Sequence, residues 1–147
     1  MDDFRDFIVE LVRAEARFLI VGAHALGVHG IPRATVDLDI WIDSSGENAN
    51  RIWAALAAFG APLSALQLQK SDLTRPDTVI QLGLPPYRID ILTDVSGLSF
   101  DEAWPERVEA AFEGVPAPFI GRAALIRNKR ASGRTKDLAD LEALGEA

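Results

Sequence analysis

Apolar positions along this 147-residue chain change period several times, and each change marks an element. Phe4, Phe7, Ile8, Leu11 and Val12 recur at i, i+3, i+4, i+7 and i+8, the spacing of an amphipathic helix. Asp2, Asp3 and Asp6 fall in its first turn, where the helix dipole favours negative charge. Phe18-Leu19-Ile20-Val21 is a continuous apolar run closed by Gly22, which predicts a buried strand. A short helix is expected over 23–29, ended by Gly30 and Pro32. Residues 36–43 alternate: Val36, Leu38, Ile40 and Ile42 share one face, and Asp37, Asp39, Trp41 and Asp43 the other. A helix follows over 47–59, with Ile52, Ala55, Leu56 and Phe59 inward and Gly60 as its stop.

The second half carries a polar stretch at 67–77 and strands at 78–82 and 88–93. Gly83-Leu84-Pro85-Pro86 separates the strands as a hairpin or crossover loop. Residues 99–104 form a helical turn capped by Ser99. Segments 107–112 and 117–120 flank Gly114 as a small hairpin, whose second arm Pro116 and Pro118 confine to a sheet edge. Helices at 122–132, stopped by Gly133, and at 135–144, with Thr135 as N-cap, finish the chain. The order predicts one α+β domain over 1–147 with a mixed sheet, a core over about 1–120 and a helical tail over about 121–147.

Composition narrows the function. Hydrophobic content of 48% with 25% charged residues is globular, and the net charge of −7 argues against a general nucleic-acid binder. With no Cys, disulfides, thiolate–zinc sites and cysteine nucleophiles are excluded. An acidic N-terminus and the absence of an apolar run near ~20 residues predict a cytoplasmic protein with no membrane partner.

The candidate chemistry lies in the acids. Asp37 and Asp39, at i and i+2 of one strand, face the same side about 6.5–7 Å apart. Such a pair repels unless a cation lies between, and hard oxygen ligands suit Mg²⁺ or Mn²⁺. Asp90, on a later strand, supplies a third carboxylate if that strand lies near the first. Three converging acids can hold two ions for in-line displacement at phosphorus. An isolated Asp-x-Asp is more often a solvated strand face, the reading that suits Asp43, and it is the joint pattern with Gly22 and Asp90 that points to chemistry. A basic segment, 122–136, has six cations and no acid: Arg122, Arg127, Lys129, Arg130, Arg134 and Lys136. It fits either a solvated helix face or a phosphate or RNA-backbone clamp. His24 and His29, about 140° apart on a helix, are not a metal pair and read as core or surface residues, His24 the nearer to the phosphate loop. Trp41 fits packing better than base stacking, and Trp53 and Trp104 fit the core.

Val21-Gly22-Ala23, a spacer of thirteen residues, Asp37-Leu38-Asp39 and then Ile89-Asp90-Ile91 resemble the nucleotidyltransferase superfamily typified by DNA polymerase β. The run from Gly30 to Asp39, and the tail from Leu125 to Leu141, are similar to small bacterial nucleotidyltransferase-like proteins, among them the toxins of type IV abortive-infection systems. The resemblance implies the nucleotidyltransferase fold, a mixed sheet flanked by helices. It implies that Asp37 and Asp39 hold two Mg²⁺ or Mn²⁺ ions and that Asp90 binds one of them and helps deprotonate an acceptor hydroxyl. The hydroxyl would attack a nucleoside triphosphate at its α-phosphorus and expel pyrophosphate. Gly22, Ala23 and the helix they start would meet the phosphates. Lys129 and Arg134 match the family's tail pattern and are the preferred phosphate ligands, with Asp137 orienting one of them or serving the last helix dipole. Arg33 and Thr35 would touch phosphate or acceptor, or shape the turn before the acids. The acceptor would be a tRNA or other RNA, a protein or a small molecule, and an antitoxin protein is the partner a toxin would have. Ala23 departs from the usual Gly or Ser and keeps open a catalytically inactive protein that binds nucleotide or a partner chain. A nuclease or glycosyltransferase is a third use of the same acid pair, disfavoured by the glycine-to-acid spacing and the chain length.

Overall fold

The computed structural model of the protein describes residues 2–83 and 86–146. β1 (Phe18–Val21) lies antiparallel to β2 (Asp37–Ile42), with Val21 opposite Asp39. β2 runs parallel to β4 (Arg88–Leu92), which β3 (Val79–Leu82) flanks antiparallel. β6 (Val115–Phe119) continues the sheet from β1, and β5 (Val108–Phe112) closes it, giving the order β3-β4-β2-β1-β6-β5. The mixed sheet flanked by helices is the predicted α+β class. β3 and β4 form a hairpin; Leu84 and Pro85 of the intervening loop lie outside the described residues.

The helices follow the hydrophobic periods. α1 (Asp2–Arg13) packs on α3 (Gly46–Phe59), and Phe7, Ile8 and Leu11 join Ile52 and Leu56 in the core with Leu38, Ile40 and Ile42 of β2. Val12 and Val36 are corrections, both largely exposed: Val12 lies beyond the buried stripe, and Val36 precedes a strand that starts at Asp37. α3 begins at a Ser45 cap and ends at Gly60, whose φ of 89° suits a left-handed C-cap. Its buried Asn48 donates to the Arg17 and Asp43 carbonyls and accepts from the Arg17 N–H, which fixes the helix start to the ends of β1 and β2. α2 is Gly22–Val28, and α4 is Phe100–Ala103, entered through the predicted Ser99 cap. The polar stretch contains a short 3₁₀ turn, Lys70–Thr74, anchored by buried Leu73.

Two expectations about the C-terminal part change. β6 is interior, not an edge: it meets β1 only through Ile20 and Phe119, beyond both prolines, so neither ring interrupts a ladder there. The last helices are α5 (Arg122–Ser132) and α6 (Thr135–Ala143), and the N-cap of α6 is Arg134 rather than Thr135. No helix among the described residues is long and apolar enough to cross a membrane.

Candidate active site

The parallel register of β2 and β4 sets Asp39 beside Asp90 and Asp37 beside Arg88. Side chains in register on neighbouring strands share a face, so the three acids converge without any loop having to fold over them. On the other side of β2, β1 delivers Gly22 against Asp39. Gly22 has a φ of +71°, and a Cβ built on it would overlap the Asp39 Oδ2 atom. Glycine is required here twice over, by backbone conformation and by space.

Burial pushes the Asp39 carboxyl up to about 6, with the like charges of Asp90 and Asp37 adding to the shift; Lys136 and Arg88 oppose it. A carboxylate made uncomfortable by two others is a group that a cation would relieve. The cation already present is Arg88. Its Nε donates to Asp90 Oδ1 at 2.8 Å, and its Nη2 donates to Asp90 Oδ2 at 3.1 Å and to Asp37 Oδ2 at 3.4 Å. Asp90 is buried, whereas the Arg88 side chain is 40% exposed. The sequence signal for Arg88 was its i, i+2 spacing to Asp90, which gives both side chains the same face of β4.

The acids open into a cleft of about 480 Å³ between the sheet end and the C-terminal helices. Gly22, Ala23, Thr35, Asp37, Asp39, Lys129 and Arg134 all line it, so seven of the nine candidate residues meet there. Asp90, paired with Arg88, is not among the residues that line it. Arg33 turns elsewhere: its Nη1 lies 2.7 Å from Asp140 Oδ1. Thr35 accepts from the Asp37 N–H and donates to the Asp37 carbonyl, so it shapes the entry to β2 as well as lining the cleft. Val21 caps α2 without a side-chain hydrogen bond.

Lys129 also points to the cleft, but its charge is engaged. It is only 7% exposed and lies 2.8 Å from Asp140 and 3.4 Å from Asp137. Asp137 further accepts from Ser132 Oγ at 2.6 Å and Arg134 Nε at 2.9 Å. Burial acts to raise the Asp137 carboxyl, but these donors and the charges of Lys129 and Arg134 outweigh it and hold it at about 2. Arg122, Arg127 and Arg130 pair with Glu146, Glu102 and Glu146. Among the described residues, Lys136 is the cation of the basic segment with no ion pair, and it lines the cleft and lowers the Asp39 pKa. Its position two turns of sequence beyond the favoured Lys129 carried no separate signal. Asp94, Ser96 and Asn128 complete the polar wall, Asn128 donating to the Ser96 carbonyl.

Several residues fall away from the site. Asp43 pairs with Arg17 and accepts from the Ser45 N–H, a structural role. Trp41 is fully buried edge-on to Phe100, which leaves no face for a base. Trp53 and Trp104 pack against the core, part-buried. His29 Nε2 donates to the Ile120 carbonyl at 2.8 Å. His24 lies between the edges of Phe4 and Phe112, where burial lowers its pKa, and lines a separate pocket that meets the acid cleft only at Thr35.

The donor chemistry of the acid pole fits a hard divalent cation. Among the described residues, no three acid or histidine side chains are gathered as an ion's ligand set, and Arg88 bonds to both Asp37 and Asp90.

No family model matches this sequence, and no curated protein matches it. Among solved structures, the fold is similar to the crystal structure of a putative nucleotidyltransferase from Thermotoga maritima, with a TM-score of 0.62 at 16% sequence identity. The likeness covers 98% of this chain and 91% of that one, so it embraces the tail helices as well as the sheet. The architecture around Asp37, Asp39 and Asp90 is therefore the nucleotidyltransferase fold.

Proposed function

We propose that the protein is a metal-dependent nucleotidyltransferase that moves a nucleotidyl group from a nucleoside triphosphate to an acceptor hydroxyl. The observation that carries this reading is the register of Asp39 with Asp90, with Gly22 against Asp39, beside a cleft that Lys136 and Arg134 also line. Asp37, Asp39 and Asp90 would hold Mg²⁺ or Mn²⁺, one ion or two. When bound, the metal supplies charge neutralisation at the α-phosphate and lowers the pKa of the acceptor hydroxyl. The chain's own contributions are positional and electrostatic. Gly22 lets the Asp39 carboxylate lie against the start of α2, and Lys136 and Arg134 offer N–H donors to the β- and γ-phosphates. An Asp90 oxygen released from Arg88 takes the acceptor proton as the hydroxyl oxygen bonds to the α-phosphorus. Pyrophosphate leaves, and the proton passes to water.

The acceptor class that fits is a tRNA or other RNA end, a protein hydroxyl or a small molecule; a toxin role with an antitoxin partner, in the cytoplasm, belongs to the same proposal. Purified protein with Mg²⁺ or Mn²⁺ and labelled nucleoside triphosphates is expected to label an acceptor from a panel of these classes, and Asp39→Asn to abolish it. Equal labelling by both proteins would sink the assignment.

A second reading is favoured by specific observations: Ala23 adds no hydroxyl to the cleft, and Arg88, Lys129 and Arg33 are committed to internal pairs. In that reading the protein binds nucleotide or a partner chain without turnover. Calorimetry showing triphosphate binding with no label transferred to any acceptor would select it.

A further inference from the structure

We propose that Arg88 is a built-in competitor for the cation: its guanidinium holds Asp37 and Asp90, two of the acids that would hold a divalent ion, and must leave them before the ion enters. The inference rests on the metal-dependent reading above and deepens it by naming what sets cation affinity.

The geometry has three parts. First, Arg88 is tethered by its own strand: register places it beside Asp37, and i, i+2 spacing places it beside Asp90. It reaches both acids without leaving the face they share. Second, its contact with Asp90 is bidentate, at 2.8 and 3.1 Å, whereas the Asp37 contact is a single longer bond at 3.4 Å. The guanidinium thus covers the two oxygens that an ion shared with Asp39 would need, and Asp39 itself receives no hydrogen bond from it. Third, the Arg88 side chain is 40% exposed while Asp90 is buried, so Arg88 has solvent to move into and Asp90 has not. A divalent ion on Asp90 would compete with the guanidinium, which holds both Asp90 oxygens. Binding therefore exchanges one positive partner of Asp90 for another and frees the arginine's planar fork, which suits phosphate oxygens.

The test is a Mn²⁺ titration of the full chain without nucleotide, read as loss of the free-ion electron paramagnetic resonance signal. Arg88→Gln is expected to bind Mn²⁺ about tenfold more tightly than the wild type, because the competing charge-assisted pair is gone. Lys136→Gln removes a nearby charge that influences Asp39 yet makes no hydrogen bond to the acids, and is expected to change affinity less than about threefold. Arg88→Lys keeps the charge but cannot bridge two carboxylates, so its affinity is expected to fall between those of wild type and Arg88→Gln. It also serves if the glutamine variant folds poorly, its fold checked by circular dichroism in chelator. Equal affinity in wild type and both Arg88 variants overturns the inference and leaves the metal reading standing. Equal gains in Arg88→Gln and Lys136→Gln also overturn it, since the effect would then be field alone. Absence of Mn²⁺ binding in every variant overturns the metal reading together with the inference.

Discussion

The molecule has two clusters of mixed charge facing each other across one cleft, and they are built to opposite ends. In the tail, Lys129, Arg33 and Arg134 are set against Asp137 and Asp140, and the acids are buried to 2% and 0% exposure with cations on them. The result is an acid held at about 2, the mark of a carboxylate satisfied in its charged form. At the sheet end, three acids have one arginine between them, and Asp39 is pushed up to about 6. The tail cluster consumes its charge to fasten α5 to α6 and to the Arg33 loop. The sheet cluster keeps charge uncompensated at a solvent-reachable place. A carboxylate strained first by burial and then by its like-charged neighbours costs stability, and a cation that neutralises it removes that cost.

Breaking the tail cluster is the sharpest way to test that division. Lys129→Met keeps the apolar stem but leaves Asp140, fully buried, with Arg33 as its remaining ion partner. Removing one member of a buried pair costs about 3–5 kcal/mol. Urea unfolding should show the midpoint fall with an unchanged slope. A loss below about 1 kcal/mol would mean that the tail charges are not fastening anything.

Gly22→Ala attacks the junction of the two clusters. The new Cβ must adopt a φ of +71° and overlaps Asp39 Oδ2, so it costs about 2–4 kcal/mol in backbone strain and displaced packing. The same substitution should abolish nucleotide labelling in material that remains folded by circular dichroism. Retained labelling would detach Gly22 from the site.

Asp39→Asn should do the reverse of Lys129→Met and stabilise the protein. The folded-state value of about 6 lies above the usual 3.8, so the folded chain binds more protons than the unfolded chain between about pH 4 and 6. Stability therefore falls as pH rises through that window, and the penalty is complete above it. The asparagine removes the penalty: a gain of about 1–3 kcal/mol at pH 7 that disappears near pH 4. A variant equally stable to wild type at both pH values would show that the sheet acids store no repulsion. Loss of activity with gain of stability is the signature expected of a working site.

How much of this could be read along the chain depends on whether a feature is local. The alternation of Leu38, Ile40 and Ile42 with Asp37 and Asp39 is a property of one strand, and it correctly put the acids on a face of their own. Gly22 was legible because an apolar run ends there. Arg88 was not singled out, since its meeting with Asp37 depends on β2 and β4 being parallel and in register, which neither strand encodes alone. The tail is legible in part: Asp137 is expected to orient Lys129 or Arg134 and pairs with both, whereas the Asp140 pairs depend on how the helices pack. Counted along 122–136 it carries six uncompensated cations, but Asp137 and Asp140 follow on the next helix, and folding the hairpin brings them back onto Lys129. Pro116 and Pro118 pointed to an edge because composition does not reveal that β1 stops short of them. Periodicity finds faces; it cannot find partners.

The smallest expected effect concerns Ala23, where the two clusters share a wall without touching. Ala23 opens α2 next to Gly22 and lines the cleft that Arg134 and Lys136 face. A hydroxyl there would add one neutral hydrogen bond to a phosphate oxygen, and such a bond is worth about 0.5–1.5 kcal/mol net. Ala23→Ser should therefore tighten binding of a non-hydrolysable triphosphate by roughly two- to tenfold in calorimetry while leaving the unfolding midpoint unmoved. The two readouts are separable: the buried ion pairs act on whether the chain stays folded, and the groups that face the cleft act on what it binds. If Ala23→Ser changes neither, phosphate does not pass Ala23, and a bound triphosphate meets other lining residues of the cleft. If it tightens binding, the alanine is a tuned weakness in a site that still admits phosphate, and the binding-only reading loses the feature that first suggested it.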